Sequence, residues 1–265
     1  MVIDFHTHIY PDKIAEKTIS YLSKKGNILP QTKGTREALL NSMKENNVDL
    51  SVVLPVATKP SQVETINRVS KELNNIEGTV YAGGIHPDSE NIDVILDGIK
   101  EAGLFGIKIH PDYQDVYFDD PRYIKIIEAC AERNLIVITH AGLDIGFPED
   151  VHCTPTMVLN VLDKLKGKAD GKIVLAHMGA YDNPKEVLEK LAGLDIYFDT
   201  SAVLDLYPDE CVEIIKKHGS EKILFGTDSP WGAQGKYVEI IKSFPISDID
   251  KENILCENAK RLLNM

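Results

Sequence analysis

The sequence predicts an α/β fold, a single (β/α)8 TIM barrel occupying residues 1–265. Three observations predict it. Short Val/Ile-rich runs alternate with amphipathic helical patterns eight times. The runs are apolar almost throughout, as strands of a parallel sheet covered on both faces must be. The chain also has the length of one such barrel, with 43% hydrophobic and 26% charged residues to supply a core and a solvated outside. An open doubly wound sheet is the rival architecture. It ordinarily carries a glycine-rich phosphate turn after its first strand, where this chain reads "HTHIYPD" (6–12).

The eight strand runs are residues 2–8, 48–57, 79–87, 104–111, 135–142, 172–179, 195–201 and 222–230, most of them bounded by Gly, Pro or Asp. Between them, residues 12–26, 61–75, 91–103, 120–134, 154–167, 184–193, 208–219 and 235–244 repeat apolar side chains at three- and four-residue spacing. Asp120-Pro121, Thr154-Pro155 and Asn183-Pro184 each set a capping side chain before a Pro at the first helical position. Gly26, Gly103, Gly167, Gly193 and Gly219 stand where helices should end. A terminal helix is expected over 251–264, and residues 9–47 hold two helical patterns and a loop placed to cover one mouth of the barrel. No linker or low-complexity segment divides the chain.

The formal charge of −12 argues against nucleic acid or an anionic membrane as partner. No stretch of about 18 apolar residues occurs, and a strand beginning at residue 2 leaves no room for a signal peptide. The expectation is a cytoplasmic protein that takes a small-molecule substrate, with self-association left open. Cys130, Cys153, Cys211 and Cys256 are widely spaced and suggest reduced thiols rather than a disulfide framework. Of these, Cys153 sits nearest the candidate site residues.

Asp4, His6 and His8 alternate along the first run, which on a regular strand places all three on one face. Of the eight histidines, His6, His8, His86, His110, His140 and His177 fall at or near the C-terminal ends of strand runs, whereas His152 and His218 do not. In a barrel those ends converge on the face where active sites are built. A lone His at a strand–loop junction is ordinarily a satisfied polar group, but six on one mouth point to metal chemistry. His6 and His8 can share one cation, and His140, His177 and Asp228 offer further donors. Zinc takes four ligands and, when catalytic, leaves one place for water or substrate. Asp228 ends the apolar run "ILFGT", a costly position for an unpaired carboxylate; a metal accounts for it, and a helix cap before Ser229-Pro230 is the plainer reading.

The constellation resembles the amidohydrolase superfamily: His-x-His on strand one, a His ending each of strands five and six, an Asp ending strand eight. "VIDFHTH", "GIKIHP", "LAHMG", "LFGTDSPW" and "ILCENAKRLL" are similar to the branch containing metal-dependent TIM-barrel hydrolases and decarboxylases of the α-amino-β-carboxymuconate-semialdehyde type. The resemblance covers essentially the whole chain. It implies that His6, His8, His140 and Asp228 hold one divalent metal, zinc foremost, at the C-terminal face of the strands. It implies further that His177 orients the metal-bound water or substrate and that Asp228 accepts the water's proton. In binuclear relatives a strand-four lysine, carboxylated by CO2, bridges two metals, and Lys108 stands on that strand. The preferred reading is an ordinary inward lysine that binds a substrate carboxylate as a point charge.

The repeat "IHPD" (85–88 and 109–112) ends strands three and four. One turn solution used twice accounts for it, Pro stiffening the exit and Asp capping the next element. Substrate contact by His110, and more remotely His86, is the alternative. Tyr113, Gln114 and Trp231 lie just past strand ends and are candidates to line a pocket for a planar or carboxylated substrate. The expected function is a metal-dependent hydrolase acting on a small carboxylated lactone, amide or ester through a metal-activated water. The alternative is non-oxidative, metal-dependent decarboxylation of an aromatic or unsaturated acid, for which Lys108, His110 and His177 supply cationic and imidazole donors. A barrel that holds metal without turnover is the third reading, opposed by the intact ligand set.

Overall fold

Strand–helix alternation builds the barrel, and the computed structural model describes residues 1–265 of it. Nine parallel segments make its eight strands: β1 (Ile3–Thr7), β2 (Leu50–Val53), β3 (Thr79–Tyr81), β4 (Gly83–Gly84), β5 (Gly106–Ile109), β6 (Ile136–Thr139), β7 (Ile173–Leu175), β8 (Tyr197–Asp199) and β9 (Ile223–Leu224). β3 and β4 are one strand interrupted at Ala82. Ladders run from β1 to β3 and from β4 to β9. Ala82 N–H donates to the Val53 carbonyl at 3.1 Å. The last strand meets the first through Phe5 N–H to Phe225 C=O (2.7 Å), Asp228 N–H to His6 C=O (2.9 Å) and His8 N–H to Ser229 C=O (2.6 Å). The barrel closes at the metal-competent residues themselves.

The helices are α1 (Asp12–Gly26), α2 (Arg36–Asn46), α3 (Val63–Leu73), α4 (Ile92–Glu101), α5 (Pro111–Gln114), α6 (Pro121–Glu132), α7 (Pro155–Leu165), α8 (Pro184–Lys190), α9 (Pro208–His218), α10 (Gln234–Ser243), α11 (Asp248–Glu252) and α12 (Asn258–Leu263). Asp120 and Thr154 accept backbone N–H bonds as N-caps, whereas Asn183 makes no such bond. Asn27, not Gly26, takes the left-handed position that ends α1 (φ 47°). The terminal helix expected over 251–264 is broken by a π turn at Asn253–Glu257. There the Ile254 carbonyl accepts the Phe225 N–H at 2.9 Å, and a carbonyl bonded across to the barrel unsettles the regular helical ladder. No helix is long and apolar enough to cross a membrane.

Strand residues alternate between two apolar clusters. Ile3, Phe5, Leu50, Val52, Ile136, Ile138, Val174 and Leu224 fill the barrel interior with Cys256 and Ala259, while Val53, Ile107, Ile109, Val137, Ile173 and Leu175 pack outward against helices. This alternation corrects one expectation. Asp4 lies between two interior residues and so does not share a face with His6. The register pairs Asp4 with Ser51 and Thr7 with Val53, three steps on β1 against two on β2. One extra residue makes a β-bulge, which re-aims everything after it. Asp4 instead accepts bonds from Thr227 N–H (3.0 Å), Thr227 Oγ1 (2.6 Å) and Gln234 Nε2 (2.8 Å), fastening the seam.

Candidate metal centre

Beyond the bulge, His6 Nε2, His8 Nε2 and Asp228 Oδ1 converge: 3.1 Å between the histidines, 3.2 Å from His8 to Asp228 and 3.4 Å from His6 to Asp228. Their other atoms fix the protonation. His8 Nδ1 lies 2.7 Å from the Leu54 carbonyl, which can only accept. His6 Nδ1 lies 2.8 Å from Asp199 Oδ2. Both Nδ1 atoms therefore carry the proton, and both Nε2 atoms present lone pairs to a carboxylate oxygen. Three acceptors meeting with no donor among them repel one another unless a cation lies between them. A tetrahedral ion with bonds of about 2.0–2.1 Å spaces its donors about 3.3 Å apart, so the residues fit a divalent metal.

Electrostatics keeps His6 in its binding form. Burial, aided by the Lys108 charge, lowers the His6 pKa to about 4 and keeps the ring neutral. Burial pushes the Asp228 carboxyl up, and only positive charge at the two facing nitrogens, from ring protons or from a cation bound between neutral rings, holds it well below the usual carboxylate range. The same contest, won by His6, keeps Asp199 ionised. Asp228 (φ 63°) and His177 (φ 60°) both take left-handed backbone, as do Met178 and Ala202 beside them. Such conformations cost about 1–3 kcal/mol each for non-glycine residues and collect where a site dictates geometry.

His177 opens a turn directly after β7. Its Nδ1 lies 3.0 Å from the Ser201 carbonyl and its Nε2 3.0 Å from His140 Nδ1. The His177 ring stacks on that of His6, centroids 5.5 Å apart. His140, expected among the ligands of the first metal, is not brought to His6, His8 and Asp228. It sits with His110 and Asp144, donor atoms of these three lying within 4.8 Å of one another. The His110 and His140 rings stack at 4.4 Å, and burial presses both pKa values well below the ordinary imidazole value.

Lys108 is 1% exposed, and its Nζ lies 3.4 Å from His6 Nε2. Burial lowers its pKa to about 8, against the pull of Asp199 and Asp228. Tyr113 stands edge-on to His110 at 4.6 Å and to Phe147 at 5.0 Å, with Lys25 Nζ over the Phe147 ring. Trp231 is half-buried in the turn after Asp228, held by its N–H to the Asp228 carbonyl (2.8 Å). Gln114 lines nothing: it is buried, donating to the Ala57 and Ile85 carbonyls and accepting from Tyr123. Cys153 is fully buried, and burial raises its thiol pKa well above the ordinary value, as suits an inert core residue. Sequence reasoning missed Asp199, Ser201, Asp112, Asp144 and His152. Asp199 carried a usable signal, a carboxylate ending the apolar run "IYF" just as Asp228 ends its own.

A family model described as Amidohydrolase matches residues 3–265. Among curated proteins no sequence matches. Solved structures with the same fold include a 2,6-dihydroxybenzoate decarboxylase complexed with 2,6-dihydroxybenzoate, 15% identical, with TM-score 0.71 over 100% of this chain and 99% of that one. A 5-carboxyvanillate decarboxylase from Sphingomonas paucimobilis is 18% identical, with TM-score 0.66 over 100% and 99%. A second 5-carboxyvanillate decarboxylase, from Novosphingobium aromaticivorans and complexed with manganese and 4-hydroxy-3-methoxy-5-nitrobenzoic acid, is 13% identical, with TM-score 0.73 over 100% and 96%. At these identities the likeness is one of fold.

Proposed function

This chain belongs to the amidohydrolase family, and from that premise we propose that it is a metal-dependent, non-oxidative decarboxylase of a small aromatic or unsaturated carboxylic acid. The observation that carries the reading is Lys108. A buried ammonium is costly unless an anion compensates it, yet no carboxylate of the chain pairs with Lys108 and its Nζ faces the donor atoms of the metal centre. A substrate carboxylate supplies the missing charge beside the metal. Decarboxylation is favoured over hydrolysis because the proteins of similar structure include enzymes that remove CO2 from hydroxylated benzoates.

His6, His8 and Asp228 would hold the ion, which when bound polarises a substrate oxygen as a Lewis acid. Lys108 fixes the carboxylate, and His110 and Tyr113 border the mouth on which a planar ring rests. The C–C bond breaks, CO2 departs without the bonding pair, and the vacated carbon takes a proton carried by Asp228 or His177. The second reading, hydrolysis through an activated water, is favoured by one feature: Asp228 sets a carboxylate oxygen 3.2 Å from His8 Nε2, beside the ion's place, where a base for that water must stand.

The test is turnover of the metal-loaded protein in deuterium oxide on hydroxylated benzoates and, separately, on lactones. CO2 release with deuterium at the vacated carbon is the expected result. Lactone opening with incorporation of solvent oxygen, and no CO2 from any acid, would replace this reading by the second. Lys108→Met should weaken KM for carboxylated substrates more than it changes metal content.

A further inference from the structure

The strands run parallel, so the metal centre occupies one end of the barrel and the segments that lead into the strands meet at the other. There the stretches before β5, β6 and β7 and the end of α12 enclose a cavity of about 410 Å³. Its floor is the base of the core. Phe105 stands edge-on to the interior Phe5, ring centroids 5.6 Å apart, and Leu262 and Leu263 pack against the interior cluster while staying partly exposed. Its rim carries Lys100, Arg133, Lys172 and Arg261, and no acidic residue lines it. In a chain of net charge −12 this is a local reversal of sign.

Only one of these four charges is answered within the chain. Arg133 pairs with Asp97 (2.7 Å) and Asp93 (3.0 Å). Lys172 Nζ donates to the Asn134 side-chain carbonyl, and Arg261 Nη2 to the Glu221 carbonyl (2.9 Å) and the Asn258 side chain, all of them neutral acceptors. Lys100, Lys172 and Arg261 form no ion pair. Asp195, whose carbonyl accepts the Gly171 N–H beside Lys172, gives its carboxylate to Lys222 (2.7 Å). Cations gathered on a concave wall with an apolar floor focus a field that draws in an anion. We propose that this cavity binds a small organic anion, its oxyanion group among Lys100, Lys172 and Arg261 and its apolar body on Phe105, Leu262 and Leu263. A counter-ion alone would leave that floor uncovered, and the volume falls within the range of about 300–1,000 Å³ usual for small-molecule sites. The site lies at the opposite end of the barrel from Lys108 and the metal centre, so it stands whether or not the protein is a decarboxylase.

The test is equilibrium dialysis of naphthalene-1-sulfonate against the metal-loaded protein. Wild type should bind one equivalent that persists in Lys108→Met, which separates it from any sulfonate held at the metal centre. Added sodium chloride should weaken that binding, since screening reaches exposed charges first. Lys100→Glu/Lys172→Glu should weaken it at least about tenfold, because reversed charges repel the sulfonate. Should the double reversal fail to fold, Asn134→Asp carries the comparison. It keeps the side chain's shape, gives Lys172 a carboxylate partner and should weaken binding about threefold or more. Neutral naphthalene-1-sulfonamide, with the same apolar body, should bind at least about tenfold more weakly than the sulfonate. Affinity unchanged in both Lys100→Glu/Lys172→Glu and Asn134→Asp would overturn the proposal, as would loss of all binding in Lys108→Met or equal affinity for the sulfonamide.

Discussion

The chain writes Ile-His-Pro-Asp twice, on neighbouring strands, and folds the two copies to different ends. In the first copy (85–88) the peptide turns back on itself: Asp88 N–H donates to His86 Nδ1 at 3.1 Å and Ser89 N–H to the His86 carbonyl at 2.9 Å. Asp88 stays 53% exposed and pairs with Arg122 on the surface. In the second copy (109–112) Pro111 begins the short helix α5, and Gln114 reaches back to accept the His110 N–H and to hold the Ala57 and Ile85 carbonyls. Asp112 is thereby sealed inside and His110 joins the mouth. Four residues specify how a strand ends. The next two, Ser89-Glu90 in one copy and Tyr113-Gln114 in the other, decide whether the histidine becomes structure or chemistry.

The sharpest way to break this contrast is kinetic. His110→Asn removes an imidazole that stacks on His140 and borders Tyr113, whereas His86→Asn alters a turn. If only the second copy serves the site, His110→Asn should lower kcat/KM about 10–100-fold, the range for loss of one or two strong substrate contacts. His86→Asn should change it less than about threefold. Steady-state kinetics on the best substrate checks both. Equal losses would mean that the two copies work together and that the local turn alone decides nothing.

A second contrast is one of stability. Asp112→Ala strands the N–H and ring nitrogen of His152 in the interior, a loss of about 2–3 kcal/mol for two buried donors. Asp88→Ala frees only an exposed Arg122, itself still paired with Asp120, and should cost under about 1 kcal/mol. Urea unfolding of chelator-treated protein measures both. A penalty at Asp88 equal to that at Asp112 would show that the first copy is as deeply built into the fold as the second.

These contrasts mark what the sequence could disclose. The eight strands and the histidines at their ends were legible because apolar runs and their terminations repeat in register with the fold. The bulge in β1 was not, since alternation presumes a regular strand, and so Asp4 looked like a face-mate of His6 and His8 while it fastens Thr227 and Gln234. Asp112 looked like a helix cap because its neighbours are those of a turn. Asp144 and His152 lie in a loop without periodicity, and only tertiary contact with His110 and Asp112 gives them a part. His140 was assigned to the first centre by its place on the right strand. Its ring nitrogens face His177 on one side and Asp112 on the other, contacts that no strand pattern announces.

The smallest effect expected concerns pH and sharpens the account of the first copy. His86 Nδ1 accepts a hydrogen bond from Asp88 N–H, so the turn requires the neutral ring. Burial lowers the His86 pKa below 6.5; Asp88 pulls it up and Arg122 pushes it down. A group whose folded pKa lies below its unfolded value binds fewer protons in the folded state. Its contribution to stability is therefore complete above about pH 6.5 and is lost as pH falls through the folded pKa. Chelator-treated wild type should show a urea midpoint that drops between about pH 7 and about pH 5, and His86→Asn, though less stable at the start, should drop less over that interval. Asp88→Asn removes the group that raises the His86 pKa and should steepen the drop, whereas Arg122→Gln should make it shallower. Parallel midpoint curves for all four proteins would show that His86 does not titrate in the turn, and that its difference from His110 is one of position alone.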